Sequence, residues 1–150
     1  MAVLHQIWIK RVHRGKMDPA TRATLVTGRG MSGNANQGGH RQVTLIDLGR
    51  WHELMDRFGA DLETSARRAN LVIDSLDLVD SRGKTLRIGA ARLLIHGETR
   101  PCERMDEALP GLQEAMRERW DGGAFAEVIE GGEIVVGDEV EWVVAINSNL

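Results

Sequence analysis

The segment Arg92-Leu-Leu-Ile-His96-Gly97-Glu98-Thr99-Arg100-Pro101-Cys102-Glu103-Arg104 predicts a buried strand, a glycine break and the start of a helix. Proline lacks an amide proton and has a fixed φ, so Pro101 suits the first helical position and places Cys102, the only cysteine, in the first turn. The helix N-terminus and the flanking arginines favour a thiolate there, whereas the neighbouring glutamates oppose it. Two roles are therefore open for Cys102, a reactive thiolate and a small buried hydrophobic residue.

The length and composition are those of one folded domain. A chain of 150 residues is long enough for a hydrophobic core, and 42% hydrophobic with 27% charged residues is typical of a globular protein. We therefore predict a single domain over residues 1–150. The net charge of -3 provides no overall attraction to nucleic acid or to an anionic membrane, so neither is an expected partner. A local basic pocket would still attract an anionic ligand.

The cysteine content and the N-terminus bear on the compartment. A single cysteine cannot form an internal disulfide, and residues 1–6 lack the charged start and long apolar run of a secretion signal. The apolar stretches, such as residues 142–146, have the length of strands and not of membrane-spanning helices. We therefore expect a cytosolic protein that does not enter a membrane.

Hydrophobic patterning predicts strands through most of the chain. The predicted strands are residues 3–12, 22–27, 41–46, 71–73, 86–88, the segment between Gly89 and Gly97, 124–129, 133–136 and 140–146. Turns are expected at residues 16–19 and 81–84, and a glycine-rich loop at residues 28–39.

Two further segments have the pattern of amphipathic helices. Asp47 is suited to cap the first and Gly59 to stop it, and its apolar face holds Trp51, Leu54, Met55 and Phe58. The second stops at Gly122-Gly123, and its apolar face holds Leu109, Leu112, Met116 and Trp120. Short strands, frequent glycine turns and two or three helices predict a mostly β (α+β) barrel or sandwich.

The sequence Gly28-Arg29-Gly30-Met31-Ser32-Gly33 matches the spacing of a dinucleotide-binding loop but does not predict one. Such a loop has to open a helix within the glycines, whereas residues 34–39 continue the loop. The five histidines show no ligand spacing, and no second cysteine is present, which argues against a structural zinc site. The serines and carboxylates support neither a Ser-His-Asp triad nor an acid–base pair.

For some polar side chains, the sequence allows more than one interpretation. His40 ends the glycine loop and either reaches a pocket or stays in solvent. His96 lies in an apolar strand and is expected to be a core histidine with a hydrogen-bond partner. Arg67 and Arg68 either grip a phosphate through bidentate bonds or coat the surface.

Taken in order, several segments resemble the MOSC domain, the module named after the C-terminal part of molybdenum cofactor sulfurases. The resemblance covers nearly the whole chain and depends on the order of the segments and on the position of the cysteine. The segments are the glycine loop with His40-Arg41-Gln42-Val43-Thr44-Leu45, Arg68-Ala69-Asn70-Leu71-Val72-Ile73, Leu78 with residues 83–89, Pro101-Cys102, and Gly131-Gly132-Glu133-Ile134-Val135-Val136-Gly137-Asp138.

The resemblance implies a β-barrel with two or three short peripheral helices. It implies that Cys102 carries sulfur or ligates the metal of the molybdenum cofactor, a molybdopterin. It also makes Arg68, Asn70, Arg41 and His40 candidates for holding the pterin and the phosphate of that cofactor. A thiolate is a soft ligand that suits such a metal, and guanidinium forks suit phosphate.

The chain departs from the family pattern in two ways. Many relatives have Gly-Asp where this chain has Gly33-Asn34, so no carboxylate role is carried over to that position. The chain also contains no pyridoxal-phosphate lysine module and no cysteine set for an iron–sulfur centre. Complete sulfurase or reductase activity is therefore expected to need a redox or sulfur-donor protein partner.

The expected function is cofactor or sulfur binding through Cys102, as part of a molybdenum-dependent reductase of N-hydroxylated compounds. This step rests on family analogy. Two alternatives stay open: a noncatalytic protein that delivers cofactor or sulfur, and a repurposed barrel that binds a small molecule with Cys102 inert. The sequence leaves open whether the domain is itself an enzyme.

Overall fold

The computed structural model describes residues 1–144 and consists mainly of strands. The helices are α1 (Leu48–Phe58), α2 (Arg104–Ala108) and α3 (Leu112–Ala115), with a 3₁₀ turn at Thr64–Arg67. The strands are β1 (Ala2–Lys10), β2 (Met17–Ala20), β3 (Arg22–Val26), β4 (Gly30–Met31), β5 (Val43–Asp47), β6 (Leu71–Asp74), β7 (Thr85–Ile88), β8 (Ala91–Glu98), β9 (Ala124–Glu130), β10 (Gly132–Val135) and β11 (Glu139–Trp142).

Seven strands close into a barrel in the order β11-β7-β8-β9-β5-β6-β1. The nine-residue β1 makes this closure, because its first residues pair with β11 on one side while the next pair with β6 on the other. Its last four residues pair with β2, which lies outside the ring. The one parallel pair within residues 1–144 is β5–β6, and the connection between these strands contains α1. The predicted mostly β fold with short peripheral helices is confirmed.

The barrel core follows from the alternation of side chains along the strands. In β8, Ala91, Leu93 and Ile95 point inward and are fully buried, while Arg92 between them is exposed. A second sheet, β10-β3-β4, covers part of the barrel and buries Ile134 and Leu25 against the same core. Burial of aliphatic side chains on this scale is the main favourable contribution to folding.

Helix α1 has the predicted ends and covers one side of the barrel. The Asp47 side chain accepts a hydrogen bond from the Gly49 amide, and Gly59 adopts the left-handed conformation that ends the helix. Its apolar face packs with α2 and α3 in a separate cluster, which contains Trp51, Leu54, Met55, Met105, Leu112, Ala115 and Met116. This cluster fixes the segment that follows Cys102, because Met105 is fully buried in it.

The prediction of a turn at residues 16–19 is wrong, because Met17–Ala20 forms strand β2. Pro19 lies opposite Trp8 in the pairing with β1. Strand β2 is at the edge of the sheet, where the missing amide proton of proline leaves no ladder bond unmade. The backbone of β1 therefore overrides the turn propensity of the sequence.

The prediction of one continuous helix from Leu109 to Trp120 is also wrong. Two short helices are present, separated by Gly111 with φ of +90°, and α3 ends at Ala115. Arg119 and Trp120 both have positive φ, which interrupts a right-handed helix. Trp120 consequently packs against the barrel core, not against α1.

Two further boundaries differ from the prediction. Strand β8 does not break at Gly97 but continues to Glu98, with a register shift between Ile95 and Gly97. A Cβ at this glycine would lie 3.2 Å from the Phe125 ring, so a larger residue would require the ring to shift slightly. The predicted strand at 140–146 corresponds to β11 as far as Trp142, and residues 145–150 lie outside the described part of the chain. Within the described part, no helix has both the length and the apolar character to cross a membrane.

We predict that Gly123→Ala destabilises the domain far more than Gly137→Ala. Both glycines have a φ near +100°, so each substitution costs about 1–3 kcal/mol of backbone strain. A Cβ at residue 123 would also lie 2.0 Å from the Leu45 carbonyl oxygen, whereas nothing lies within 4 Å of one at residue 137. Chemical denaturation of the two variants measures the difference. Equal free energies of unfolding would show that the close approach does not matter.

Candidate functional site

Cys102 is exposed and lies just before α2, not inside it. The expectation that Pro101 starts the helix is therefore wrong. Thr99 still donates its amide proton to the Gly123 carbonyl, so the chain stays extended beyond β8 and the helix begins only at Arg104. The Cys102 carbonyl accepts a hydrogen bond from the Met105 amide. The thiol is thus presented on a short connection between the barrel and the helical cluster.

Cys102 borders a cleft of about 140 Å³ at the end of the barrel. Its walls come from β1, from β5 and the residue Arg41 before it, from the end of the 3₁₀ segment and the turn after it, from the connection after β8, from the start of α2 and from the loop before β9. A wider groove of about 370 Å³ shares Lys10, Arg68, Cys102 and Arg104 with it. The residues of the inner cleft are Lys10, Arg41, Thr44, Arg67, Arg68, Ala69, Thr99, Cys102, Arg104, Met105 and Gly122.

The cleft gathers positive charge in a protein of net charge -3. None of its cationic side chains forms an ion pair with a carboxylate among residues 1–144; the ion pairs there use other arginines and lysines. Burial and the neighbouring Arg68, Arg41 and Arg104 lower the pKa of Lys10. Burial and Arg104 likewise lower the pKa of Arg68. The cations repel one another, so an anion in the cleft would relieve that repulsion.

Arg67 is the most buried of these cations, with 6% of its surface exposed. Its Nε donates to the Gly122 carbonyl at 2.9 Å and its Nη2 to the Thr99 carbonyl at 3.3 Å, and Nη1 takes part in neither bond. Burial lowers the pKa of Arg67 to about 10, although the nearby Cys102 acts in the opposite direction. The guanidinium is therefore still charged at neutral pH, in a site where burying a charge without a counter-charge costs free energy.

The loop that accepts the bonds of Arg67 is itself held in place. Asp121 is buried and accepts a 2.7 Å hydrogen bond from Arg50 Nε on α1. At Gly122, a Cβ would lie 2.3 Å from the Thr99 carbonyl oxygen and 3.3 Å from Arg67 Nη2. Any other residue at position 122 would push these groups apart. The ion pair and the glycine together set the distance between the barrel and Arg67.

Arg68 occupies a strained backbone position with φ of +66°. This left-handed conformation ends the 3₁₀ turn and directs the next residues into β6. Its guanidinium donates to the Gly15 carbonyl in the connection between β1 and β2. Arg68 thereby joins the wall of the cleft to the β1–β2 connection.

Asn70 lies behind the cleft wall and its amide is fully used within the protein. Its Oδ1 accepts bonds from the amide and the hydroxyl of Thr44, and its Nδ2 donates to the Trp8 carbonyl and to Asn34 Oδ1. Asn34 Oδ1 also accepts a bond from the Lys10 amide. The structure thus gives Asn70 a positioning role between β1, β5 and β6, and it is not among the residues that line the cleft.

His40 is also outside the cleft. It is exposed and its ring stacks on that of His96, with centroids 4.2 Å apart. His96 Nε2 lies 2.9 Å from Glu127 Oε1, so the expected hydrogen-bond partner is present. The prediction that His96 belongs to the core is wrong, because its side chain is only half-buried, on the face of β8 opposite the core-facing Ile95. Arg41, the next residue, does line the cleft, and its guanidinium lies 6.0 Å from the centre of the Phe125 ring.

Of the residues predicted from sequence, the structure brings Cys102, Arg68 and Arg41 together, whereas Asn70 lies behind the wall and His40 beyond it. Lys10 and Thr99 were missed. Lys10 is far from Cys102 in sequence, and Thr99 has no local motif beyond its place before Arg100-Pro101. Of the two flanking arginines that were expected to favour a thiolate, Arg104 lines the cleft with Cys102, whereas Arg100 lines a different hollow with Glu98, Pro101 and Arg117.

These features define a class of protein, a closed mostly β barrel with an exposed cysteine in a basic cleft. The family model of the MOSC domain matches residues 11–141, and the chain belongs to the MOSC domain family. A comparison with curated proteins finds no match.

Solved structures share the fold at low sequence identity. The YuaD protein from Bacillus subtilis superposes with a TM-score of 0.78 at 19% identity, over 95% of this chain and 96% of that one. YiiM from Geobacillus stearothermophilus gives a TM-score of 0.76 at 16% identity, over 96% and 76% of the two chains. YiiM from Escherichia coli gives 0.70 at 17% identity, over 99% and 72%. At these identities the likeness concerns the fold.

We predict that Asn70→Ala lowers the free energy of unfolding by about 2–4 kcal/mol, because it leaves buried partners of the amide unsatisfied. Asn36→Ala, in the half-buried part of the glycine loop, is the matched control and should change it by less than about 1 kcal/mol. Urea denaturation measures both. If Asn70→Ala were as harmless as the control, Asn70 would not have the positioning role described above.

We predict that inorganic phosphate stabilises the protein by binding in the cleft. At ten times its dissociation constant, a ligand adds about 1.4 kcal/mol. This gain should grow with the logarithm of the phosphate concentration and should disappear in Arg68→Gly, where glycine accepts the positive φ while the guanidinium and its bond to the Gly15 carbonyl are lost. Thermal unfolding in phosphate and in chloride of equal ionic strength measures it. Arg22→Gln, whose arginine pairs with Glu133 away from the cleft, controls for charge; an equal loss in this control would contradict binding in the cleft.

Proposed function

We propose that this MOSC domain binds the molybdenum cofactor or a related sulfur-bearing species, with Cys102 as metal ligand or persulfide carrier. The observation that supports the proposal is the exposed thiol of Cys102 in a cleft whose cations have no carboxylate partner among the described residues. The thiol offers a soft ligand, and the cations offer an anion site next to it.

The residues present fit such a cofactor in charge and in donor type. Among residues 1–144, no three His, Cys, Asp or Glu side chains are grouped to hold a metal ion, so a metal at Cys102 would need to bring its other ligands with it. A pterin dithiolene does so. The cofactor phosphate would be held by Arg68 and Arg41, with Lys10 and Arg104 completing the positive wall.

The roles of the protein groups follow from their positions. Arg67 and the carbonyls of Gly122 and Thr99 hold the inner wall rigid, while Arg68 and Arg41 are exposed enough to meet a ligand. Asn70 supports the wall from behind. When bound, the cofactor would supply two-electron redox chemistry at molybdenum, which the side chains of the cleft cannot provide.

As a reductase component acting on N-hydroxylated compounds, the domain would work with a redox or sulfur-donor protein partner. The alternative is a noncatalytic protein that holds cofactor or sulfur and hands it on. Turnover of the loaded protein with a chemical electron donor supports the reductase, and retention of the cofactor without turnover supports delivery. The cytosolic location remains a prediction from the sequence.

The test is retention of isolated molybdenum cofactor after gel filtration, scored as molybdenum and pterin per protein. We expect the wild type to retain both and Cys102→Ser to lose the metal. Because Cys102 is exposed, this variant should unfold within about 0.5 kcal/mol of the wild type. Arg22→Gln is the matched control and should retain the cofactor. Retention by neither the wild type nor Cys102→Ser would refute cofactor binding, and equal retention by both would refute the role of Cys102 as ligand.

A further inference from the structure

The inner wall of the cleft combines a buried cation with an unused hydroxyl. Thr99 is 3% exposed and lines the cleft, and its Oγ1 has no hydrogen-bond partner in the described part of the protein. Arg67 lines the same wall and donates only to neutral carbonyls. A buried polar group without a partner and a buried charge without a counter-charge both cost free energy that a ligand can recover. Together they point to a small anion with several acceptor atoms.

The size of the cleft narrows the ligand further. Its volume of about 140 Å³ is below the roughly 300–1,000 Å³ of sites that bind organic molecules of drug size. A tetrahedral oxyanion is small enough for the inner cleft, and a larger ligand would have to extend into the wider groove beside it. Both spaces border Cys102, so a small anion in the inner cleft would lie next to the thiol.

The charged residues around the thiol favour an anionic ligand in the inner cleft. Lys10, Arg68 and Arg104 border both spaces with Cys102. The outer groove adds Arg14 but also two carboxylates, Glu103 and Glu107, whereas the inner cleft adds Arg41 and Arg67 and, within the described chain, no carboxylate. A small anion is therefore drawn toward the inner cleft. We infer that the cleft accepts a small dianionic sulfane-sulfur donor, of which thiosulfate is the simplest, and transfers its outer sulfur to Cys102. This inference rests on the proposed role of Cys102 as persulfide carrier and names its sulfur source.

The transfer balances without an added oxidant or reductant. The Cys102 thiolate attacks the outer sulfur of thiosulfate, a new S–S bond forms to Sγ, and the bond to the sulfonate sulfur breaks. Its electron pair leaves with sulfite. The thiolate carries one negative charge and thiosulfate carries two. The persulfide formed carries one and the released sulfite carries two, so the total charge is unchanged. Arg67 and Thr99 are the groups that would meet the sulfonate oxygens, where the charge of the leaving sulfite collects.

The test measures Cys102 persulfide and released sulfite after incubation of the purified protein with thiosulfate. We expect a mass increase of one sulfur atom in the wild type, equal amounts of sulfite, and no reaction in Cys102→Ser. Thr99→Val should slow the transfer about tenfold, because a hydrogen bond to a charged group is lost. It should leave the thermal stability unchanged, because the hydroxyl has no partner in the protein.

The dependence of the transfer rate on charge distinguishes reaction within this cleft from reaction of a thiol that is merely exposed. Arg68→Gly should slow the transfer about tenfold or more, and added salt should slow the wild type. The rate with a neutral aromatic disulfide reports the thiolate population alone, so it should fall less than the thiosulfate rate in both cases. Arg22→Gln, which removes an arginine from the small sheet, should match the wild type with either reagent.

Each remaining outcome overturns the inference. Absence of persulfide overturns it, whether the thiol reacts with the neutral disulfide or with neither reagent. If Thr99→Val and Arg68→Gly both form persulfide as fast as the wild type, the cleft has no role in the transfer. The cofactor experiment gives an independent result. Cofactor retention without persulfide refutes this inference alone. Persulfide without cofactor retention refutes cofactor binding, and the inference of sulfur transfer still holds.

Discussion

The close backbone approach at Gly122 and Gly123 is the constraint on which the site depends. Cβ atoms there would lie 2.3 Å from the Thr99 carbonyl oxygen and 2.0 Å from that of Leu45, so the loop before β9 lies directly against β5 and the end of β8. This contact lets Gly122 accept the Arg67 bond while Thr99 pairs with Gly123. A bulkier loop would separate Arg67 from the barrel and open the cleft. The site is therefore a consequence of how the barrel is closed at this end.

The electrostatics of the cleft follow from that geometry. Four chain segments that are distant in sequence each bring a cation to the same end of the barrel, at Lys10, Arg41, the Arg67-Arg68 pair and Arg104. Their charges are not neutralised by carboxylates among the described residues, although such pairs are frequent on the rest of the surface. A protein that kept these cations only for stability would pair them, because unpaired, partly buried charge is unfavourable. The arrangement therefore supports the proposal that the cleft binds an anion.

Local signals in the sequence predicted the parts of the fold that local physics determines. The Asp47 cap and the Gly59 stop of α1 were found because capping is a property of a few adjacent residues. Strand β2 was not predicted, because it depends on pairing with β1. The end of the helix before Trp120 was not predicted either, because it depends on positive φ angles and on contact of Trp120 with the barrel core. For the site, Cys102, Arg68 and Arg41 were available from the family resemblance. Lys10 could not be found, because only barrel closure brings it to the cysteine, and Thr99 was missed because no local motif marks it, although it lies close to Cys102 in sequence.

Asn34 occupies the position where the family resemblance implies an aspartate, and it accepts hydrogen bonds that an aspartate could also accept. Its Oδ1 accepts from the Lys10 amide and from Asn70 Nδ2, which are bonds that a carboxylate oxygen could also accept. Its Nδ2 is buried without a partner in the described chain, so the amide is not optimal for stability. An aspartate would make the same bonds but would place a negative charge behind Lys10 and Asn70. The asparagine therefore keeps the scaffold of the wall while preserving the positive potential of the cleft, at the cost of one unsatisfied donor. The asparagine is thus compatible with the anion site that we propose beside Cys102.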